Sequence, residues 1–175
     1  MKKKITQILV LLFTLLMVGA NFAGATIKAK GSFSASDLKI TINSKSYGLL
    51  EDAKPLIKVL GKYELSETIS CAYDGMDRLY RFKGVDISTL PIKKGKDMID
   101  EIIVTGKAYS TSKGIKVGDS KADIVGKYGN DYTETASVIT YWLGEKEGLK
   151  TPCLYFEMKK GKVKAFGIYG ARSAG

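Results

Sequence analysis

Two apolar rhythms alternate along this chain, and their order predicts its elements. In "LLEDAKPLIKVLG" (residues 49–61) the apolar residues Leu56, Ile57 and Leu60 recur at three-to-four spacing. "GIKVGDSKADIVGKYG" (residues 114–129) repeats the rhythm with Ala122, Ile124, Val125 and Tyr128. That spacing gathers each set on one face of a helix. Asp52 is placed to cap a first helix over residues 52–60, with Pro55 in its first turn, where the missing N–H costs little. Ser120 and Asp123 have the spacing of a capping box for a second helix. Gly61 and Gly129 stand where such helices stop.

The rest of the chain alternates with period two, the signature of half-buried strands. "DLKITINSKSYGL" (37–49) predicts a strand that turns at Asn43 and Ser44. "TISCAY" (68–73) and "RLYRF" (78–82) flank "DGMD" and predict a hairpin turning at Asp74 and Gly75. "DISTLPI" (86–92) predicts a strand ended by Pro91, and "MIDEIIVTG" (98–106) the next. After the second helix come strands over 137–143, 153–159 and 163–170, joined by the polar turns "GEKEG" and "KKGK". "STSK" (110–113) reads as a polar linker and "ARSAG" as a frayed tail.

The expected fold class is therefore α+β: a tandem repeat of helix-plus-antiparallel-sheet units. Residues 26–108 form the first unit with its N-terminal strand, and residues 109–175 the second. One such unit has a small core; two together bury enough apolar surface to stabilise each other.

Alternation also assigns faces. If Leu154, Phe156 and Met158 face the helices, Tyr155 turns outward; if Phe166 and Ile168 face inward, Tyr169 and Gly167 turn outward. Trp142 or Tyr141 joins them. Tyr73, Tyr80, Arg81, Trp142, Tyr155 and Tyr169 are the candidate binding residues, because Tyr and Trp supply rigid contact area with a polar handle. The competing reading is that these rings pack on one another. A slip of one residue in register would invert every assignment.

The N-terminus changes the picture of where the protein works. Lys2, Lys3 and Lys4 precede an apolar run from Ile8 to Val18, and Ala23-Gly24-Ala25 follows as a small-x-small cleavage pattern. This is the form of a secretory signal over residues 1–25; the apolar run is short for a retained membrane span. Cleavage after Ala25 leaves no stable membrane anchor. The chain beyond it holds 25 of the 28 basic residues and all 18 acidic ones, a formal charge of +7. For an exported protein that balance suits an anionic cell-wall polymer or an acidic protein partner, and the scattered lysines do not suit nucleic acid.

Chemistry is bounded more by what is missing. The chain has no histidine, the commonest general base and metal ligand. Cys71 and Cys153 are too far apart in sequence for a zinc motif. Export permits a disulfide between them, and two separate buried thiols are the alternative. Asp74 and Asp77 flank one turn and read as turn residues rather than a catalytic pair or a calcium loop. No catalytic residue, metal or cofactor is expected.

"SCAYDGMDRLYRF", "ISTLP", "DEIIVTG", "STSKGIKVGDSKADIVGKYG" and "YFEMKKGKVKAFGIYG" together resemble a family of exported proteins and lipoproteins from clostridia-like Gram-positive bacteria, whose function is unassigned. The likeness covers roughly residues 37–170. The unit is also similar to the helix-on-sheet repeat of the β-lactamase-inhibitor-protein-like fold and, in its helix, to outer-membrane assembly lipoproteins. No lipobox cysteine follows the signal, which implies release from the cell or retention by charge. The expectation is a secreted, non-enzymatic module that binds a protein or envelope polymer through an aromatic sheet face. The fold likeness implies the alternative, an enzyme inhibitor using the same surface.

Overall fold

The computed structural model describes residues 31–146 and 150–170. The expected secretory signal, the "ARSAG" tail and part of the "GEKEG" loop lie outside the described residues. In chain order the elements are β1 (Lys39–Ile42), β2 (Lys45–Gly48), α1 (Lys54–Leu60), β3 (Glu64–Ile69), β4 (Met76–Phe82), β5 (Val85–Lys93) and β6 (Lys96–Val104). Then follow β7 (Ser110–Thr111), α2 (Lys121–Tyr128), β8 (Thr133–Glu134), β9 (Val138–Trp142), β10 (Cys153–Lys159) and β11 (Lys162–Tyr169). A short 3-10 turn, Ala35–Asp37, leads into β1.

The architecture is α+β with antiparallel sheets throughout. An eight-stranded sheet has the order β3-β4-β5-β6-β11-β10-β9-β8, and a three-stranded sheet the order β2-β1-β7. The two four-strand meanders join where β6 pairs with β11. The register builds continuous rows across the large sheet. Tyr141, Leu154, Ile168, Ile102, Ile87 and Tyr80 form one row; Ile139, Phe156, Phe166, Val104, Val85 and Phe82 form the next. Both rows pack into a single apolar cluster with Leu56 of α1, Ile124 and Tyr128 of α2, and Ile40, Ile42 and Tyr47 of the small sheet. Helices and small sheet therefore cover one face of the large sheet, and period-two alternation turns the intervening side chains to the other.

Local chemistry explains the element ends. Asn43 and Ser44 both take positive φ, 49° and 63°, the geometry of a two-residue hairpin turn matched to strand twist. The Ser120–Asp123 capping box forms as expected. Asp52 sits one residue outside the cap of α1, yet its Oδ1 still accepts from the Lys54 N–H at 3.0 Å. Gly61 and Gly129 end the helices at φ 85° and 86°.

Four local expectations are corrected. The strand expected over 68–73 is Glu64–Ile69, so Cys71, Ala72 and Tyr73 fall in the connection to β4. Pro91 does not end its strand: β5 runs on to Lys93, and the register slips between Leu90 and Lys93, where a missing N–H breaks no ladder bond. "STSK" is not only a linker, because Ser110 and Thr111 pair with β1 and Thr111 is buried against the Tyr128 hydroxyl at 2.7 Å. Ala122 is exposed, so Ile124 and Tyr128 carry the buried face of α2.

Candidate functional site

On the opposite face, left uncovered by the described helices and small sheet, two further rows run across the large sheet. Trp142, Cys153, Tyr169, Glu101, Ser88, Leu79 and Ser66 are successive cross-strand partners, and so are Thr133, Thr140, Tyr155, Gly167, Ile103, Asp86, Arg81 and Glu64. The face thus has an aromatic half on β9, β10 and β11 and a charged half on β3 to β6.

The aromatic half is held in place. Tyr155 leans across Gly167, and its hydroxyl donates to Glu101 Oε1 at 3.1 Å on β6, so one ring bridges three strands. Trp142 donates its indole N–H to Thr133 Oγ1 at 2.7 Å, which fixes the ring against β8. Tyr169 stands directly across from Glu101. All three rings are half-buried. A Cβ on residue 167 would lie 2.7 Å from both the Tyr155 ring and the Ile102 carbonyl oxygen, and that backbone oxygen has little room to move. Gly167→Ala is therefore expected to lower stability by about 1–3 kcal/mol, the usual cost of overpacking, read as a shift in urea midpoint.

The sequence-predicted residues divide. Tyr155, Tyr169, Trp142 and Arg81 share the uncovered face. Arg81 sits in the charged half, donating to Ser66 Oγ at 2.9 Å, with Asp86 directly across. Tyr80 does not belong with them. It is buried in the helix-side row and donates to Asp97 Oδ2 at 2.8 Å, because neighbours on a strand point to opposite faces and Arg81 takes the outward one. Asp97 also accepts from Arg78, whose Nε donates to Glu67 Oε1 at 2.7 Å. Tyr73 lies in the β3–β4 loop, lining a groove of about 560 Å³ with Arg78, Lys93, Lys94 and Lys96 at one end of the sheet. Glu101 joins this face without being aromatic; alternation in "DEIIVTG" turns it away from Ile102 and Val104.

No disulfide joins the cysteines. Cys71 is free and exposed in the β3–β4 loop, whereas Cys153 is free and buried at the start of β10. With β4, β5, β6 and β11 lying between β3 and β10, the lateral separation is on the order of 20 Å, far beyond the reach of a disulfide. Burial, with the charge of Glu101 adding to it, pushes the Cys153 thiol up to about 11. At neutral pH a thiol reagent should modify Cys71 readily and Cys153 only after denaturation; rapid modification of both would contradict this placement.

Burial also raises the phenols of Tyr80, Tyr128, Tyr141 and Tyr155 above the ordinary tyrosine value. The fold favours the neutral form of each. That stabilisation is complete below the unfolded values, roughly 8.5 for Cys and 10 for Tyr, and is lost as pH climbs beyond them. The melting temperature should be flat near neutrality and fall above pH ~9.

No protein-family model, curated protein or solved structure matches this chain.

Proposed function

We propose that this protein is an exported, non-enzymatic binding module that meets a protein or an envelope polymer with the uncovered face of its large sheet. It would act outside a Gram-positive cell or at its surface. The observation that carries the reading is the aromatic half of that face: Trp142, Tyr155 and Tyr169 stand on three adjacent strands, each orientated by the sheet or by a hydrogen bond. Rings fixed before binding lose little conformational freedom on contact, which favours recognition.

The same reading treats the chain as a duplicated helix-plus-meander unit. Supporting it, each helix precedes a four-strand meander. The residue leading into each helix also bridges the last strand of its meander, Asp52 to Met98 and Ser120 to Lys162. Two such units joined edge to edge yield one broad face instead of two narrow ones, which suits a macromolecular ligand better than a small molecule.

The test is capture from the producing organism's culture medium and envelope with the mature chain as bait, beside a Trp142→Ala/Tyr169→Ala double variant. Retention by the wild type and loss by a folded double variant support the proposal. Equal capture by both sinks it.

A further inference from the structure

The two edges of the large sheet are not alike. β8 is two residues long, too short to template another strand, whereas β3 at the other edge has six residues. Natural sheets blunt a free edge with lysine, proline, a bulge or a covering loop. Between Glu64 and Ile69 there is no lysine and no proline, the pairing with β4 runs without a register shift, and all six residues are exposed. Ile69, 76% exposed, is the most exposed large hydrophobic among the described residues.

The Ser70 N–H donates to the Gly75 carbonyl at 3.0 Å. Alternation then turns the backbone polar groups of Glu64, Ser66 and Thr68 towards β4, and those of Leu65, Glu67 and Ile69 outward. The outward groups meet no strand among the described residues. The side chains of those three residues lie on the helix side of the sheet, in register with Tyr80, Arg78 and Met76. Tyr63, whose ring centre is 5.2 Å from that of Tyr80, continues their row.

This edge complements itself. A two-fold axis through Ser66 sets two copies of β3 antiparallel, with outward backbone groups opposite outward backbone groups. Tyr63 then faces Ile69 of the second copy, an aromatic–β-branched pair; Glu64 faces Thr68, Leu65 faces Glu67, and the two Ser66 residues face each other. No like charges meet, and Arg78 still holds Glu67 at 2.7 Å. Sliding two residues one way would set Glu67 against Glu67. Sliding two residues the other way would leave Ile69 opposite Gly61.

We infer that this protein pairs with a second copy of itself, β3 on β3 about that axis, into one continuous sheet of twice eight strands. The chain already uses this mode once, where its two meanders join edge to edge at β6 and β11. The short β8 cannot extend the assembly, so it closes as a dimer instead of growing into a fibre. One strand pair is a small interface, below about 1,200 Å², and a dissociation constant on the order of micromolar is expected. The inference stands apart from what the opposite face of the sheet binds.

The test is sedimentation velocity of residues 26–175 from about 1 μM to about 1 mM, which brackets such a constant. The dimer should grow with concentration. Ile69→Lys removes two symmetry-related pairs and should weaken it about tenfold, with the melting temperature unchanged because Ile69 is exposed. Ser66→Cys, made together with Cys71→Ser to remove the other exposed thiol, reads the register. Opposed residues outside the hydrogen-bonded pairs have Cα atoms about 4.5 Å apart, within disulfide reach, so mild oxidation should link the two copies. Thr68→Cys in the same background should not link them, because the two Thr68 residues stand about 13 Å apart along the strands. A monomer at every concentration would overturn the inference and leave the edge to an extended segment of a different protein. A dimer that Ile69→Lys does not weaken, or equal cross-linking of the two cysteine variants, would overturn it by placing the contact elsewhere.

Discussion

Phe156→Ala is expected to lower the unfolding free energy by about 3–5 kcal/mol, whereas Tyr169→Ala should lower it by less than about 1 kcal/mol. The two residues lie on adjacent strands of one sheet, and only the face they occupy separates them. Phe156 is fully buried, with its ring 5.9 Å from Tyr128, 6.2 Å from Phe166 and 6.3 Å from Tyr141. Alanine there leaves a cavity walled by rings that two helices and two sheets hold apart, so the site relaxes little. Tyr169 is half-buried on the face opposite the helices, so its removal admits water instead of creating a void. Urea denaturation of the two variants measures the difference directly. A comparable loss at both positions would mean that the uncovered face is packed like a core.

The second large effect is expected at the N-terminal edge. Asp37 is 3% exposed and is the anchor of the segment that leads into β1. Its Oδ2 accepts from Ser34 N at 2.9 Å, Ser34 Oγ at 3.1 Å and Lys113 Nζ at 2.9 Å, and its Oδ1 from Ser112 Oγ at 3.4 Å. The ammonium of Lys113 also lies 5.0 Å from the Tyr128 ring centre. Asp37→Ala strips the cap from the 3-10 turn and leaves that ammonium without its carboxylate. Breaking a fully buried pair costs about 3–5 kcal/mol; Lys113 reaches solvent, so the cost here should be about 2–3 kcal/mol. Asp37→Asn keeps the acceptor and should lose roughly half as much. A loss under about 0.5 kcal/mol for Asp37→Ala would show that the pair contributes nothing.

Much of this was legible in the chain because the physics is local. The capping box at Ser120 and Asp123, the Asn43–Ser44 turn and the span of β10 follow from nearest-neighbour chemistry, and all three stand where the pattern puts them. The outward placement of Tyr155 and Tyr169 follows from period-two alternation against Phe156 and Phe166. What was not legible depends on which strands become neighbours. The β6–β11 pairing that brings Glu101 beside Tyr169 joins residues far apart in sequence. The separation of Cys71 from Cys153 is likewise a matter of strand order. Tyr80 departs from expectation for a simpler reason: it and Arg81 cannot both lie on the binding surface, because adjacent strand residues take opposite faces. The Asp97 that receives the Tyr80 hydroxyl lies on β6, two strands away.

The most direct test is hydroxyl-radical footprinting of residues 26–175, alone and with any partner that capture recovers. The two-faced sheet predicts that Trp142, Tyr155 and Tyr169 gain protection in the complex while Tyr63 and Tyr73 keep their labelling. Protection confined to Tyr63 or Tyr73, with the three face rings labelled as before, would contradict it and move the binding surface to the helix side or the β3–β4 loop.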